Sequence, residues 1–527
     1  MRGERLEILK PMFKLSADSL DRGYQAVLHH GYSDFFPEPP EFEAVKKGWD
    51  KLRTILGGID LTKYKPFKPV YAFAPKSKIN LRPVTLLHPV DLVLYSSLVA
   101  DLVEHIDDRR IPSGENRFFS FRLEGAPKGA LYASSPSHAE FEAEKLRRSR
   151  DYIDAYMGFA DIADFYPRLY QHKVRGALDS CVESAPKLAA YPGIIERLLR
   201  GVSSDNLSYG IPIGPAASRP LAEAALIDID DALLSRGIDF VRYIDDFVIF
   251  AKTREKVEWA LRILGELLDR HHGLSLHAAK TKVMRSSNFI KHALQSDSPE
   301  DIVESRFTKL IEDHFYDEEE RLLDELNSEE RKALDAVDLE KILTEALDED
   351  EIDYKKIAFI LERLSSLERT DLVQIVLDHL PRLYPVAHAI HSFFRNIEPI
   401  ELSTRQKSGR DLLAPILATD DEQAPEFYSI WVLNLFGLNP AWNQAKSLGK
   451  IFREAQSQAI RRYAAFALSA SGGRSEALSF KDSFQSSSDL TRSALLQASR
   501  KLGKDERRHW IKRLQLSWFE DFLVEYI

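Results

Sequence analysis

Two adjacent acidic residues interrupt a run of strand-forming side chains in RYIDDFVIF, residues 242–250. Tyr, Ile, Phe and Val suit a half-buried strand and paired Asp suits a turn, so the segment predicts strand, tight turn, strand. Alternation along a strand would put Tyr243 and Asp245 on one face, with Ile244 pointing into the core. Asp245 and Asp246 repel each other, and a rigid hairpin can hold both only where solvent or a cation offsets that repulsion. A solvated acidic turn is the simpler interpretation, and a divalent-metal site is the functional one.

A third acid, Asp161, favours the metal site. It ends a strand-like run in FADIADFYPRLYQH, residues 159–172. A catalytic metal pair needs ligands from separate strands, because two cations about 4 Å apart must be fixed against their mutual repulsion. Oxygen ligands with no His or Cys nearby in sequence favour magnesium or manganese over zinc. A magnesium pair in turn favours phosphoryl transfer.

Composition limits the classes of protein to consider. The 527 residues exceed the size at which one hydrophobic core stops growing, so at least two domains are expected. A net charge of −10 argues against a protein that coats nucleic acid through its whole surface, so any polyanion site must be local. One cysteine excludes an internal disulfide framework and a cysteine-rich zinc module, and it fits a reducing cytosol. No stretch has the pattern of a signal or membrane-spanning segment, so a cytoplasmic location without a membrane partner is expected.

The order of predicted elements indicates an α+β fold. A strand ending at Asp161 is followed by helices, the acidic hairpin, an amphipathic helix ended by Gly273, and a short strand. From residue 296 the sequence becomes acidic and helical to its end. We therefore predict an α+β domain over residues 1–295 and a large all-α domain of irregular helical repeats over residues 296–527. The acidic run Asp228–Asp231 falls in a helical stretch and predicts a polar helix face.

Four motifs together resemble a known family. DIADFYP, GIPIGPAAS, YIDD and LSLHAAKTKV occur in the order and rough spacing of the palm motifs of reverse transcriptases. The residues within these motifs, together with the large helical C-terminal region, look like those of bacterial abortive-infection (AbiK-like) and other defence-associated reverse transcriptases. The motif match covers roughly residues 70–290. The resemblance implies a reverse-transcriptase-like palm and fingers in the N-terminal domain.

The resemblance also implies which residues perform the reaction. Asp161, Asp245 and Asp246 would hold two Mg²⁺ ions, for which Mn²⁺ can substitute, and the Ile162 carbonyl would be a further metal ligand. Lys280 would approach the triphosphate, where a cation can neutralise or protonate the leaving pyrophosphate. A surface lysine at a strand end is the structural alternative for Lys280.

A second set of residues would bind the nucleotide. Tyr166 would lie beneath the sugar and exclude a 2′-hydroxyl, and a core aromatic is its structural alternative. Lys76 and Arg82 resemble the finger residues that grip the triphosphate. Gly214 and Ser218, with small residues between them, would let a nucleotide or base pair approach the backbone closely.

One departure from the family pattern bears on templating. Many reverse transcriptases have Gln where this chain has Ile213, and an apolar side chain cannot hydrogen-bond a template. This difference puts faithful copying of a long template in doubt. The resemblance itself implies an antiphage-defence (abortive infection) DNA polymerase that works without a template and starts from a hydroxyl of the protein, usually a tyrosine. The acidic balance is consistent with this, because holding a short single strand needs less basic surface than holding a duplex.

Two alternatives stay open. A retron-like enzyme would copy a bound noncoding RNA; KLRRSR, residues 145–150, is the best local candidate for RNA contacts, although a solvated loop is its simpler interpretation. An inactive palm could serve as a scaffold, but a structural role does not require three unneutralised acids.

The expected partners follow from the same resemblance. They are dNTPs, a single-stranded DNA product covalently attached to the protein, RNA under the retron-like alternative, and further copies of the chain in a trimer or hexamer. With 19 tyrosines, the sequence does not identify the priming residue.

Overall fold

The computed structural model describes most of the chain. The described residues are 12–76, 80–203, 208–294, 339–349, 352–366, 372–396, 402–419, 423–442 and 444–527.

Strands and helices are mixed in the part of the chain before residue 295. The elements are α1 (Ala17–His30), α2 (Glu41–Lys47), α3 (Trp49–Gly58), β1 (Val70–Pro75), β2 (Leu81–Leu86), α4 (Pro89–Ala100), α5 (Val103–Arg109), α6 (His138–Asp151), β3 (Tyr156–Asp161), α7 (Phe165–Arg168), α8 (Gln171–Cys181), α9 (Tyr191–Gly201), α10 (Ser218–Ala225), α11 (Ile227–Ser235), β4 (Asp239–Tyr243), β5 (Asp246–Ala251), α12 (Arg254–His272), β6 (Lys282–Arg285) and α13 (Ser286–Leu294).

From residue 339 onward, the regular elements of the described residues are helical. The α-helices are α14 (Leu339–Asp348), α15 (Tyr354–Ser366), α16 (Val373–Asp378), α17 (Leu380–Leu383), α18 (Ala387–Asn396), α19 (Leu402–Leu417), α20 (Glu426–Leu438), α21 (Ala445–Glu454), α22 (Gln458–Ser471), α23 (Arg474–Ser483), α24 (Asp489–Ala498), α25 (Lys504–Ile511) and α26 (Trp518–Tyr526). An α+β region followed by a helical C-terminal region is therefore confirmed. The irregular-repeat description stays a prediction.

A four-stranded antiparallel sheet lies at the centre of the N-terminal region. Its strand order is β4-β5-β3-β6, and β4 and β5 form the predicted hairpin. In this register Asp161 pairs with Asp246, and Tyr243 pairs with Asp246 from the other side. Directly paired residues of antiparallel strands point to the same face, so these three side chains share one face of the sheet.

Helix α12 covers the opposite face. Thr253 caps its N-terminus by accepting a hydrogen bond from the Lys256 N–H, and Gly273 ends it at a φ of 65°, as predicted. Gly158 of β3 lies against it so closely that a Cβ there would be 2.5 Å from Val257 Cγ1. The glycine therefore allows the helix to lie close to the sheet.

Helix α6 packs on the face that carries the acids. The Phe141 ring stacks on the Tyr243 ring with centroids 5.8 Å apart. Arg148 donates to Asp239 Oδ1 at 2.7 Å, and its guanidinium lies 5.8 Å from the Phe250 ring centroid. The segment 145–150 is therefore the end of a packed helix, and its interpretation as a solvated loop was wrong.

The described residues divide into two compact units. The first contains residues 12–31, Gly48–Phe67 and Pro89–Ser287, and with them the four-stranded sheet. The second contains Tyr32–Lys47, Lys68–His88 and the described residues from 288 onward. The predicted boundary between residues 295 and 296 lies outside the described residues, so the division at that point stays a prediction.

In the second unit, two early segments pack with C-terminal helices. The β1–β2 hairpin lies against α20, and α2 lies against α26. Glu41 accepts a hydrogen bond from Arg462 Nη2 at 2.5 Å, and both side chains are almost fully buried. Among the described residues, no helix is both long and apolar enough to cross a membrane.

Candidate active site

Asp161, Asp245 and Asp246 converge where β3 ends and β5 begins, beside the β4–β5 turn. One carboxylate oxygen from each lies within 4.8 Å of the others. In the part of the chain that the structure describes, this is the one cluster of three or more His, Cys, Asp or Glu side chains with ligand atoms so close. The spatial meeting that the sequence predicted for these three acids is present.

The hairpin turn, rather than strand alternation, positions Asp245. Ile244 takes a φ of 52°, in the left-handed region, and its side chain is buried. The Asp245 carbonyl accepts a hydrogen bond from the Ile162 N–H at 3.2 Å. The turn is thus tied to the chain just beyond β3, which brings Asp245 beside Asp161.

Burial and neighbouring negative charge disfavour the ionised forms of Asp245 and Asp246. Burial raises the pKa of Asp245, and the charges of Asp246 and Asp161 raise it further. Burial and the charge of Asp161 likewise raise the pKa of Asp246. Groups shifted in this way bind a divalent cation favourably, because the cation removes the repulsion between them.

Lys280 contacts the triad directly. Its Nζ donates to Asp161 Oδ1 at 2.7 Å, although 59% of the side chain is exposed. Burial opposes its charge, but the hydrogen bond with Asp161 and the charges of Asp246 and Asp245 outweigh burial, so the pKa of Lys280 is raised. Lys280 therefore stays an ammonium group at neutral pH. A cation bound to Asp161 would compete with it and free it to face an anionic ligand.

Replacing Lys280 by methionine is expected to lower nucleotide incorporation by about tenfold to a hundredfold, because a cation beside developing phosphate charge is lost. Lys280→Arg should retain most of the activity, since it keeps the charge. Steady-state incorporation of labelled nucleotide measures both variants, and Lys256→Met on the exposed side of α12 is the matched control. Equal activity of the Lys280→Met and Lys256→Met variants would contradict this role.

Tyr166 lies near the acids, and two other predicted nucleotide ligands lie in or before α10. Tyr166 is half-buried; burial raises the pKa of its hydroxyl well above the ordinary value, and Asp245 contributes to that shift.

Gly214 takes a φ of 122°, which favours glycine. Ser218 is almost fully buried, and its Oγ lies 3.0 Å from the Tyr95 hydroxyl. Their nucleotide-binding roles stay predictions.

The two predicted finger cations lie on the β1–β2 hairpin of the second unit, whereas the triad lies in the first. The Lys76 N–H donates to the Asn80 carbonyl at 2.7 Å and closes the hairpin. The Arg82 guanidinium lies 5.5 Å from the ring centroid of Phe35. Their predicted grip on the triphosphate stays a prediction.

Sequence reasoning did not place α6 at the cleft beside the acids, although it had named the segment 145–150 as a candidate for RNA contacts. His138, Glu142 and Lys145 of α6 line a cleft together with Asp161 and Asp246. The lysine is almost fully buried and pairs with Glu142 one helical turn away. The i, i+3 spacing of Glu142 and Lys145 could have indicated a helix face, but not that this face meets the sheet.

The donor set fits divalent magnesium or manganese. All three side chains offer carboxylate oxygens, and they come from two separate strand ends, which the structure fixes relative to each other. Ile162 directly follows Asp161 at the end of β3, and the role of its carbonyl as a metal ligand stays a prediction. Bound there, such cations would neutralise charge on phosphate oxygens and make a hydroxyl a better nucleophile.

Part of the chain matches a known family model. Residues 75–308 match the family described as "Reverse transcriptase (RNA-dependent DNA polymerase)". Solved structures similar to the chain include telomerase from Candida albicans in complex with a fragment of telomeric RNA, with 11% identity, a TM-score of 0.32, and coverage of 74% of this chain and 70% of that chain. Apo telomerase from Candida tropicalis gives 12% identity, a TM-score of 0.32, and coverage of 77% and 70%. No curated protein matches the sequence.

Proposed function

We propose, from the premise that residues 75–308 form a reverse-transcriptase-type domain, that the protein is a DNA polymerase of antiphage defence that acts without a template and primes on itself. The observation that carries the proposal is the meeting of Asp161, Asp245 and Asp246 within 4.8 Å in that domain. Three oxygen ligands at this spacing suit two-metal phosphoryl transfer to a hydroxyl. The defence role rests on the motif resemblance to abortive-infection enzymes.

The position of α6 supports synthesis without a template. The helix lies on the face of the sheet that carries Asp161 and Asp246, where Phe141 stacks on Tyr243 and Arg148 lies over the ring of Phe250. Side chains of α6 and of the sheet line a cleft beside the acids. A cleft of this kind suits a single strand better than a wide duplex.

The test is incubation of the purified protein with magnesium and labelled dNTPs in the absence of any template. Label should become attached to the protein itself, and the Asp245→Asn variant should give none. Protease digestion followed by mass spectrometry then identifies the linked residue. Incorporation that requires a co-purifying RNA and yields complementary DNA would favour the retron-like alternative. The absence of incorporation under either condition would leave only the scaffold hypothesis.

The hairpin of the second unit supports a local nucleic-acid contact in an acidic protein. The segment from residue 61 to residue 90 contains five lysines and one arginine but no Asp or Glu. On the same face of β1, the side chains of Tyr71 and Phe73 are 38% and 60% exposed. Exposed rings in a locally basic segment suit stacking by the bases of a single strand.

Replacing Phe73 or Tyr71 by alanine is expected to weaken binding of a single-stranded oligonucleotide by roughly tenfold for each ring. Fluorescence anisotropy with a labelled oligothymidylate at fixed salt measures the affinity. Trp259→Ala on α12 is the matched control, since it removes an aromatic side chain that is 41% exposed elsewhere. If the Trp259 variant loses as much affinity as the hairpin variants, the hairpin has no special role.

A further inference from the structure

A buried group of charged side chains lies directly behind the metal-binding turn. Arg242 of β4 is fully buried and points to the face opposite Asp246. It donates to both carboxylate oxygens of Asp230 on α11, at 2.9 and 2.5 Å. It also donates to the Ile244 carbonyl at 2.8 Å and lies 3.0 Å from Glu223 on α10.

Ser120 holds the other backbone group of the same residue. Its Oγ accepts a hydrogen bond from the Ile244 N–H at 3.0 Å and donates to Glu223 Oε1 at 2.6 Å. Ser120 is placed there because the preceding chain pairs with β4: the Phe119 N–H donates to the Arg242 carbonyl at 3.2 Å. Both the N–H and the C=O of Ile244 are therefore held by one connected group, Ser120, Glu223, Asp230 and Arg242, which we call the turn clamp.

The conformation that the turn clamp holds is unfavourable by itself. Ile244 has a φ of 52°, and a β-branched residue rarely occupies the left-handed region. Such strain persists only where the surrounding structure over-determines it. Ile244 is also the residue immediately before Asp245, so any relaxation of its backbone would move that carboxylate.

The composition of the clamp argues for a positional role. Arg110 lies 2.8 Å from Glu223, so two guanidinium groups and two carboxylates are buried together. Buried ion pairs contribute little net stability relative to apolar residues, because desolvation costs about as much as their attraction provides. A better explanation for the buried charges is that they fix a backbone conformation that apolar packing could not specify.

We propose that the turn clamp is a positioning device for the metal site: by holding Ile244 in its left-handed conformation, it sets Asp245 and Asp246 at the spacing from Asp161 that a divalent cation requires. The relevance to catalysis rests on the proposed function, whereas the effect on cation binding does not. The clamp residues are positioning residues, since they act through the turn.

The test measures the affinity for Mn²⁺ by electron paramagnetic resonance. Only the Mn²⁺ binding that is lost in the Asp245→Asn variant is assigned to the metal site. Ser120→Ala removes the acceptor for the Ile244 N–H and is expected to weaken this binding by roughly tenfold. Asp230→Asn is expected to weaken it at least as much, because it leaves Arg242 with one partner fewer. Circular dichroism establishes that each variant is folded at the temperature of the titration.

Glycine at the strained position provides a rescue that a general loss of stability cannot imitate. Ile244→Gly removes the steric penalty of a positive φ, so in the Ser120→Ala background it should restore most of the lost Mn²⁺ affinity. Glu41→Gln is the matched control, because it breaks an equally buried ion pair in the other unit. It should lower the melting temperature and leave Mn²⁺ affinity unchanged.

The outcomes separate this proposal from the proposed function. Unchanged Mn²⁺ affinity in folded Ser120→Ala and Asp230→Asn variants would overturn the clamp, even if the protein polymerises nucleotides. Absence of Mn²⁺ binding that depends on Asp245 would overturn it as well. Weakened Mn²⁺ binding in both variants, with rescue by Ile244→Gly, supports the clamp even if the parent protein incorporates no nucleotide.

Discussion

Replacing Asp245 by asparagine is expected to reduce nucleotide incorporation by at least about a thousandfold, because the change removes one anionic metal ligand while keeping the shape of the side chain. The same variant should be no less stable than the parent in the absence of divalent cations. The half-buried carboxylates of Asp245 and Asp246 repel each other, and neutralising one of them relieves that repulsion. Incorporation assays and thermal unfolding in a chelator measure the two effects.

The control for this prediction lies in the same segment as Asp161. Asp164 is exposed and takes a φ of 48°, which asparagine tolerates. Asp164→Asn should therefore leave incorporation within about twofold of the parent, as expected for a substitution at an exposed acid outside the three-acid cluster. An Asp245→Asn variant that retains activity at the level of the Asp164 variant would rule out the triad as the catalytic centre.

Removing the ring of Tyr166 is expected to raise incorporation of ribonucleotides relative to deoxyribonucleotides by roughly tenfold to a hundredfold. The side chain is half-buried and near enough to Asp245 for that charge to affect its pKa. An aromatic ring in this position can exclude a 2′-hydroxyl by steric contact, and alanine cannot. Competition between labelled dNTPs and rNTPs measures the ratio.

Tyr166→Phe distinguishes the ring from the hydroxyl. It keeps the steric bulk, so it should discriminate against ribonucleotides as well as the parent does. Loss of discrimination in the phenylalanine variant would assign the effect to the hydroxyl group instead. If the alanine variant discriminates as strongly as the parent, Tyr166 has no part in sugar selection.

The sequence predicted the parts of the site that depend on local patterns. Strand-forming residues on either side of paired acids indicated the β4–β5 hairpin, and the strand ending at Asp161 is present as expected. The alternation argument for Asp245 was incomplete, because the left-handed conformation of Ile244 interrupts the strand at the turn. In the register, Tyr243 pairs with Asp246 instead.

The interpretation of the acidic run in α11 was wrong for one of its members. The run was expected to be a polar helix face, and Asp228 does lie at the surface, where it pairs with His271 and His272. Asp230 is buried and binds Arg242, and burial raises its pKa to about 6 although that guanidinium lowers it. Periodicity identifies a helix, but it does not identify a buried partner on a neighbouring strand.

Long-range packing explains the remaining differences. The β1–β2 hairpin was expected as short strands, and the strands are present, but no local signal indicates that they pack with α20 more than 300 residues later. The position of α6 over the sheet depends in the same way on Phe141 meeting Tyr243. Contacts between residues so far apart in sequence leave no trace in composition or periodicity.

The most direct test of the account is a crystal structure determined with Mn²⁺ and a non-hydrolysable dNTP, with data collected at the manganese absorption edge. We predict anomalous density between the carboxylates of Asp161, Asp245 and Asp246, with Lys280 turned from Asp161 toward the phosphates. Manganese elsewhere, with Lys280 still bonded to Asp161 and the three acids unliganded, would contradict the metal site on which the proposed polymerase depends.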